Sequence, residues 1–475
     1  MAKYDYDLIC IGSGPAGQRA AVQSAKLGKR VAIIEQESVV GGVSLHTGTI
    51  PSKTFREAVL TFGRGGRRAS DMRRRSSDNG NGNGGVSQKA VTASQLFERV
   101  GNIVGREEQV QDAQLGRNNV DVIVGTAAFA SPHELVIKSS HGERKATAAN
   151  IMVAVGTRPT TPSNTILDGD RVITSDEIFS LTELPHSMVV IGCGVVGIEY
   201  ASMFALMGVE VTVVDGRNTP LEFLDREIVD ELVHQMRDIN VVFRLGETVA
   251  KVETRENSRR RVVVSLESGK RLVADLALIC AGRAGNTNSL NLKAAKLKAD
   301  DRGRLIVDET FRTQQKHIFA AGDVIGFPAL AATSSEQGRL AACNAFGVKV
   351  GPMPTNFPVG IYSIPEISMV GEAEHELTAK KIPYEVGIAR FREIARGQIL
   401  GDDTGLLKMI FHRDDHSLLG VHTIGTGATE LIHIGQCVMG LGGGLEYFLQ
   451  TVFNYPTLAE CYKVAALDAY NKLTL

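Results

Sequence analysis

Two glycine triplets, each followed at the same spacing by an acid, are the residues of this chain best suited to chemistry. The segment YDLICIGSGPAGQRAAVQSAKLGKRVAIIEQ runs an apolar strand into Gly12-x-Gly14-x-x-Gly17, then an Ala-rich helix, then a second strand closed by Glu35. The segment SMVVIGCGVVGIEYASMFALMGVEVTVVDGR repeats that order through Gly192, Gly194 and Gly197 to Asp215. One glycine permits a tight turn, one lets backbone N–H groups approach a pyrophosphate, and one lets helix pack on strand. The positive end of the helix then faces the phosphates, and the acid is placed to accept from ribose hydroxyls. Each copy sits between a strand and a helix and carries its acid, so the pair implies two bound dinucleotides.

These loops need frames. A chain of 475 residues exceeds one core and suggests about three domains. A hydrophobic fraction of 43% fits a compact globular protein. The 52 basic and 53 acidic residues leave a formal charge of -1, which offers no general attraction to nucleic acid or an anionic membrane. The six cysteines, Cys10, Cys193, Cys280, Cys343, Cys437 and Cys461, stand singly with no CxxC or metal spacing, as in a reducing compartment. No run approaches the roughly 18 apolar residues of a membrane span, and the first motif begins at Gly12, leaving no room for a leader peptide; a cytoplasmic protein is expected. Further along, IMVAVGTRP, LALICA and HIFAAGDVIG read as buried strands, the last placing Gly322 and Asp323 where an acid could bind sugar hydroxyls. After about Gly351 strand-like segments such as LLKMIF and LLGVHTIG precede helical ones, which suggests a separate α+β domain.

Taken in order, GSGPAG with Glu35, GGVSLHTGTIPSK, VGTRP, GCGVVGIE, AAGD and NYPTLAE resemble the two-dinucleotide flavoprotein disulfide reductases over almost the whole chain. The resemblance implies an α/β fold with two Rossmann-like dinucleotide-binding domains plus a C-terminal α+β dimerisation domain. The expected boundaries are 1–160 and 284–352 for the two parts of an FAD-binding domain, 161–283 for an NAD(P)-binding domain and 353–475 for the interface domain. By the same resemblance FAD meets Gly12, Gly14, Pro15, Ala16, Gly17, Glu35 and Gln36, then Gly42, Val43 and Ser44, with Gly156, Gly282 and Gly322 nearby and Asp323 on its ribityl chain. Lys53 would lie beside the flavin N5, with Glu199 as its ion-pair partner. The nicotinamide nucleotide would meet Gly192, Gly194, Gly197, Asp215 and Arg217.

The departures from that family decide the chemistry. Disulfide reductases carry cysteines where this chain has Ser44 and Thr49, and His-Pro where it has Tyr455-Pro456. A hydroxyl cannot replace a thiolate in disulfide exchange. Without the histidine the base is gone as well, and Glu460 has nothing obvious left to orient. The flavin and nicotinamide half stays complete, and hydride passed to a flavin and back to a second nicotinamide is transhydrogenation. The GTIPSKT loop, NYPT and LEFLDREI resemble the soluble pyridine nucleotide transhydrogenases within that family, although those relatives keep a cysteine at the position of Ser44. Expected cofactors and substrates are therefore FAD, NAD and NADP. Asp215 suits a ribose 2′-hydroxyl, whereas Arg217 can pair with a 2′-phosphate. The alternatives are a diaphorase or quinone reductase using the same flavin, and a flavin-binding regulatory protein without turnover.

Other features read more plainly. The stretch 63–86, with six arginines among Gly, Asn and Ser, can bury little apolar surface and reads as a flexible insertion rather than a nucleic-acid contact. His412 and His416 flank Asp414 and Asp415 between two strand patterns, a hairpin turn rather than a metal site. The expected assembly is a homodimer or higher homo-oligomer, with no nucleic-acid or membrane partner and no metal.

Overall fold

The computed structural model describes residues 3–61, 92–162, 164–256 and 260–473. The expected insertion at 63–86 falls outside them. The chain divides into two compact units. The first comprises Met1–Pro162, Thr174–Leu184 and Ala281–Met353; the second comprises Ser163–Ile173, Pro185–Cys280 and Pro354–Leu475.

The first unit is built on a parallel run of strands in the order Asp121–Val124, Val31–Glu35, Tyr6–Ile11, Gly142–Val153 and Ile318–Ala320. Alternation of side chains explains why it is buried on both sides. Ile9, Ile11, Ala32, Ile34, Ile151 and Val153 point into one core, while Leu8, Cys10, Val31, Ile33 and Met152 point into the other. Each fully buried Ile or Leu contributes about 1.5–3 kcal/mol, so a one-residue slip of register would forfeit both faces at once. The long strand Gly142–Val153 serves two sheets. Its second half joins the parallel run, and its first half pairs antiparallel with Glu134–Ser139, which in turn pairs with Thr126–Ser131.

The first helix, Pro15–Lys26, starts where Gly14 caps it and Pro sits at the first position, where a missing N–H costs nothing. Its Ala-rich face allows close approach of the helix Ala331–Ala345. A Cβ on Gly338 would lie 2.1 Å from the Ala16 carbonyl oxygen.

The second unit repeats the parallel theme with Val242–Leu245, Glu210–Asp215, Ser187–Ile191 and Leu276–Ile279, and an antiparallel meander, Val249–Glu256, Arg260–Leu266 and Arg271–Ala274, follows the nucleotide-type sheet. From Val359 on, a five-stranded antiparallel sheet forms in the order Val359–Ile361, Ile367–Gly371, Leu418–Ile424, Leu406–His412 and Tyr384–Arg390. The helices Ala428–Gly440 and Glu460–Leu473 share its core. LLKMIF and LLGVHTIG are the central hairpin of that sheet.

One residue in LLKMIF breaks its apolar pattern for a reason. Lys408 is fully buried and donates to Asp225 at 2.9 Å, to Glu227 at 3.2 Å and to Glu374. Asp225 and Glu227 belong to LEFLDREI, and Asp225 also caps the helix Arg226–Asp238 by accepting from the Glu227 N–H at 3.1 Å. The three acids converge closely enough to suggest a cation site, and the Lys408 ammonium fills it.

Candidate active site

The first glycine triplet adopts the geometry its sequence demands. Gly12 has φ +99°, and a Cβ there would meet the Ala154 carbonyl oxygen at 2.4 Å. Gly14 faces open space, which leaves room for a ligand's backbone approach. A Cβ on Gly17 would lie 1.9 Å from the Gly12 carbonyl oxygen, so only glycine lets helix and loop touch. The second copy matches in every respect: Gly192 has φ +113° and a blocked Cβ 2.3 Å from the Cys280 carbonyl oxygen, Gly194 is open, and a Cβ on Gly197 would sit 2.0 Å from the Gly192 carbonyl oxygen.

Around the first loop lies a cavity of about 640 Å³, a size common for small-molecule sites. It gathers Gly12, Gly14, Pro15, Ala16, Glu35, Gln36, Gly42, Val43, Ser44, Gly156, Gly322 and Asp323, along with Thr49. Gly17, Lys53 and Gly282 are not in its wall. Gly17 acts behind the loop, and Lys53 lies further along the helix 49–61, with Nζ 3.3 Å from Ser52 Oγ. Among the described residues no cysteine lines this cavity. All six cysteines are unpaired.

The acids of the first site are set differently. Glu35 is 6% exposed and accepts from Ser13 N–H at 3.0 Å, Ser13 hydroxyl at 2.6 Å and Glu37 N–H at 3.2 Å. Ser13 Oγ accepts in turn from Gly41 N–H at 2.8 Å. One hydroxyl thus ties the glycine loop, the acid and the GGVS segment together. Asp323 opens a turn after the strand Ile318–Ala320. Burial pushes its carboxyl up, against the pull of Arg283 and of the Thr157 and Ser334 hydroxyls, each at a long 3.5 Å. A carboxylate in a cavity wall with so few close donors suits a ligand rich in hydroxyl groups. The cavity, the open Gly14 and these two acids therefore fit a flavin dinucleotide.

In the second unit Glu199 is buried on the helix Val195–Leu206 and accepts from Tyr362 N–H at 2.8 Å. Asp215 takes Cys193 N–H at 2.7 Å and a forked contact from Arg217. In the interface region Tyr455 is 72% exposed, and Glu460 Oε2 is buried with no hydrogen-bond partner among the described residues. His412 and His416 diverge: the first accepts from Asp414 N–H at 3.2 Å and the second meets Glu446 at 2.8 Å.

Sequence reading missed several residues of the first site. Ser13 occupies a variable position of its motif, and only its neighbouring acid could have singled it out. Gly125, Thr126 and Ala127 enter the wall because Asp121–Val124 pairs with Val31–Glu35. A glycine after an apolar strand was the available signal. His46 and Glu108 also line the cavity, facing each other at 3.5 Å.

This geometry belongs to a known class. Residues 6–338 match the pyridine nucleotide-disulphide oxidoreductase family, and residues 357–466 match that family's dimerisation domain. The chain belongs to the pyridine nucleotide-disulphide oxidoreductases, whose members bind a flavin and a pyridine nucleotide. Among its relatives, the soluble pyridine nucleotide transhydrogenase of Mycobacterium bovis (strain BCG / Pasteur 1173P2) is 50% identical over 99% of this chain and 98% of its own. The protein of that name from Marinomonas sp. (strain MWYL1) is 42% identical over the full length of both. Of solved structures, the HOCl-induced flavoprotein disulfide reductase RclA from Escherichia coli, as its Cu(II) complex, superposes with a TM-score of 0.87 at 26% identity, covering 98% of this chain and 99% of its own. LpdA from Mycobacterium tuberculosis gives the same score and identity over 97% and 99%. Among the described residues no helix is long and apolar enough to cross a membrane.

Proposed function

We propose that the protein is an FAD-dependent transhydrogenase that moves a hydride between NADPH and NAD+ through the flavin without a redox disulfide, as a cytoplasmic homodimer. The observations that carry this reading are two complete nucleotide loops, one in each unit, and, around the first of them, a cavity whose wall holds Ser44 and Thr49 where a dithiol would have to be. The relatives that bear the transhydrogenase name match end to end, which supports it. FAD, when bound, supplies the hydride acceptor and donor.

The chain's own residues do the rest. Gly12, Gly14 and Gly17 let the backbone approach the pyrophosphate, Glu35 accepts from the adenosine ribose, and Asp323 accepts from the ribityl hydroxyls, which lowers its raised carboxyl. Lys53 and Glu199 are assigned the catalytic roles, Lys53 as the positive charge that would serve the flavin. Gly192, Gly194 and Gly197 receive the pyridine nucleotide, with Asp215 and Arg217 at its ribose. In this reading the first unit would hold FAD, and the second the pyridine nucleotide and the dimer interface. Leu441, Val452 and Tyr455, all strongly exposed in the single chain, supply apolar surface for that dimer.

The test is anaerobic. NADPH mixed with the yellow protein should bleach the flavin, and thio-NAD+ added next should restore the colour as it is reduced. Bleaching without recovery would replace this reading with a diaphorase. Absence of bleaching would leave a flavin-binding protein without turnover.

A further inference from the structure

The acid that closes the second nucleotide strand is already saturated by its own chain. Arg217 donates to Asp215 from Nε to Oδ1 at 3.0 Å and from a terminal nitrogen to Oδ2 at 2.7 Å. Cys193 N–H reaches Oδ2 at 2.7 Å and Arg217 N–H reaches Oδ1 at 2.8 Å. A carboxylate offers about four lone-pair sites, and four donors occupy them. Burial alone would push this carboxyl up, but the guanidinium and the N–H donors outweigh it and hold it well below the usual range.

The backbone here is pinned. Asp215 O accepts from Glu247 N–H at 3.0 Å and Arg217 O from Gly246 N–H at 2.9 Å. The Arg217 side chain, 44% exposed, is the part that can turn without dragging the chain.

The first copy serves as an internal control. Two residues beyond its acid stands Glu37, which makes the matching backbone bond to Glu35 at 3.2 Å but carries a negative side chain. The second copy keeps the backbone hook and reverses the charge. A plain ribose 2′-hydroxyl gains nothing from that reversal, whereas a 2′-phosphate gains a forked partner.

Resting on the reading that this loop takes pyridine nucleotides, we propose that Arg217 is a latch that every nucleotide must open, and that it opens differently for each. A 2′-phosphate draws the guanidinium off Asp215 onto itself. A 2′-hydroxyl must displace it and take its place on the carboxylate. The latch therefore weakens binding of NAD(H) and strengthens binding of NADP(H), keeping the two affinities close enough for exchange in one pocket.

Titration calorimetry on the full-length FAD-loaded protein tests this, with ADP-ribose and its 2′-phosphate as probes; lacking nicotinamide, they leave the flavin oxidised. Arg217→Gln should weaken the phosphorylated probe about tenfold or more while tightening ADP-ribose a few-fold. Arg217→Lys should retain part of the phosphate preference. Asp215→Asn should tighten the phosphorylated probe. Equal weakening of both probes by Arg217→Gln would make the arginine a structural clamp and overturn the proposal, as would an unchanged ratio or failure of either probe to bind the unaltered protein. Because neither probe reports hydride transfer, failure of the transhydrogenase reading would leave the measured ratio standing.

Discussion

The two glycine loops are copies in backbone and opposites in how their acids are loaded. Both turn at a positive-φ glycine, both leave the middle glycine open, and both press the third against the carbonyl of the first. Glu35 is held by neutral donors, Ser13 N–H, Ser13 hydroxyl and Glu37 N–H. Asp215 is held by two N–H groups and a guanidinium. Behind the first loop the helix Pro15–Lys26 is covered by Ala331–Ala345, backbone against backbone at Gly338. The equivalent helix Val195–Leu206 is instead stitched by side chains to the interface region, Glu199 to Tyr362 N–H and Ser202 to Ile364 N–H at 3.0 Å. Under the proposed function the same geometry takes a dinucleotide in both places, and the loading decides how each would stay. The first acid would keep its charge for a resident ligand, while a visiting nucleotide at the second would compete with the protein's own cation.

The largest expected effect tests whether the loops work independently. Gly17→Ala or Gly197→Ala would place a Cβ about 2 Å from a backbone carbonyl oxygen that cannot give way. Purified Gly17→Ala should be colourless and fail to take up FAD. Gly197→Ala should stay yellow while NADPH no longer bleaches it. Loss of flavin from Gly197→Ala would mean that the two loops are not separable sites.

A smaller effect follows from the extra anchor in the second unit. Lys408→Met would leave Asp225, which is 1% exposed, beside two further carboxylates without their cation. Glu227 and Glu374 are partly exposed and can turn to water, so the cost is about 3 kcal/mol, the low end for breaking a buried pair. Burial alone would lower the Lys408 ammonium, and its acids outweigh that and raise it; burial would raise the Asp225 carboxyl, and the surrounding positive groups lower it. A raised lysine contributes stability below its unfolded value and loses it only at higher pH, and a lowered acid contributes above its unfolded value and loses it in acid. The gap in denaturant midpoint between parent and variant should be flat from about pH 6 to 9 and shrink below about pH 4. A gap that widens in acid would contradict the ion knot. If the variant also lost flavin, the first unit would depend on the second more than the loop comparison allows.

What was legible in the sequence was whatever backbone geometry enforces locally. Gly12, Gly17, Gly192 and Gly197 announce themselves because no other residue fits there, and Glu35 and Asp215 because an acid closing the strand after such a loop is placed to accept from ribose hydroxyls. The loss of sulfur at Ser44 and Thr49 was equally plain, since it needs only residue types. Lys408 was not legible as a socket ion. A lysine inside LLKMIF reads as a flaw in a strand until the fold brings LEFLDREI to it across a long stretch of sequence. Ser13 escaped notice because its partners, Glu35 and Gly41, become neighbours only when the sheet forms.

The finest test of the comparison lies at the residue between the first two glycines, Ser13 in one copy and Cys193 in the other. The Ser13 hydroxyl donates to Glu35 and accepts from Gly41 N–H, so Ser13→Ala removes two buried bonds and orphans a donor. That should cost about 1–2 kcal/mol and loosen FAD by about tenfold, read from flavin release on dilution. Cys193 is different. Burial, then the adjacent Asp215, pushes its thiol up to about 12, so it stays protonated, with Asp215 beside it and a weak 3.9 Å approach to the Thr219 carbonyl. The close 2.7 Å bond to the Asp215 carboxylate comes from the Cys193 backbone, which a side-chain exchange does not touch, and a serine hydroxyl keeps a donor in place of the thiol. Cys193→Ser should therefore leave flavin content unchanged and shift the NADPH concentration for half-bleaching by less than about twofold. Should Cys193→Ser weaken NADPH as strongly as Ser13→Ala weakens FAD, the side chain at this position would be carrying the acid in both loops, and the contrast between a resident and a visiting dinucleotide would have to be sought elsewhere than in how the two carboxylates are held.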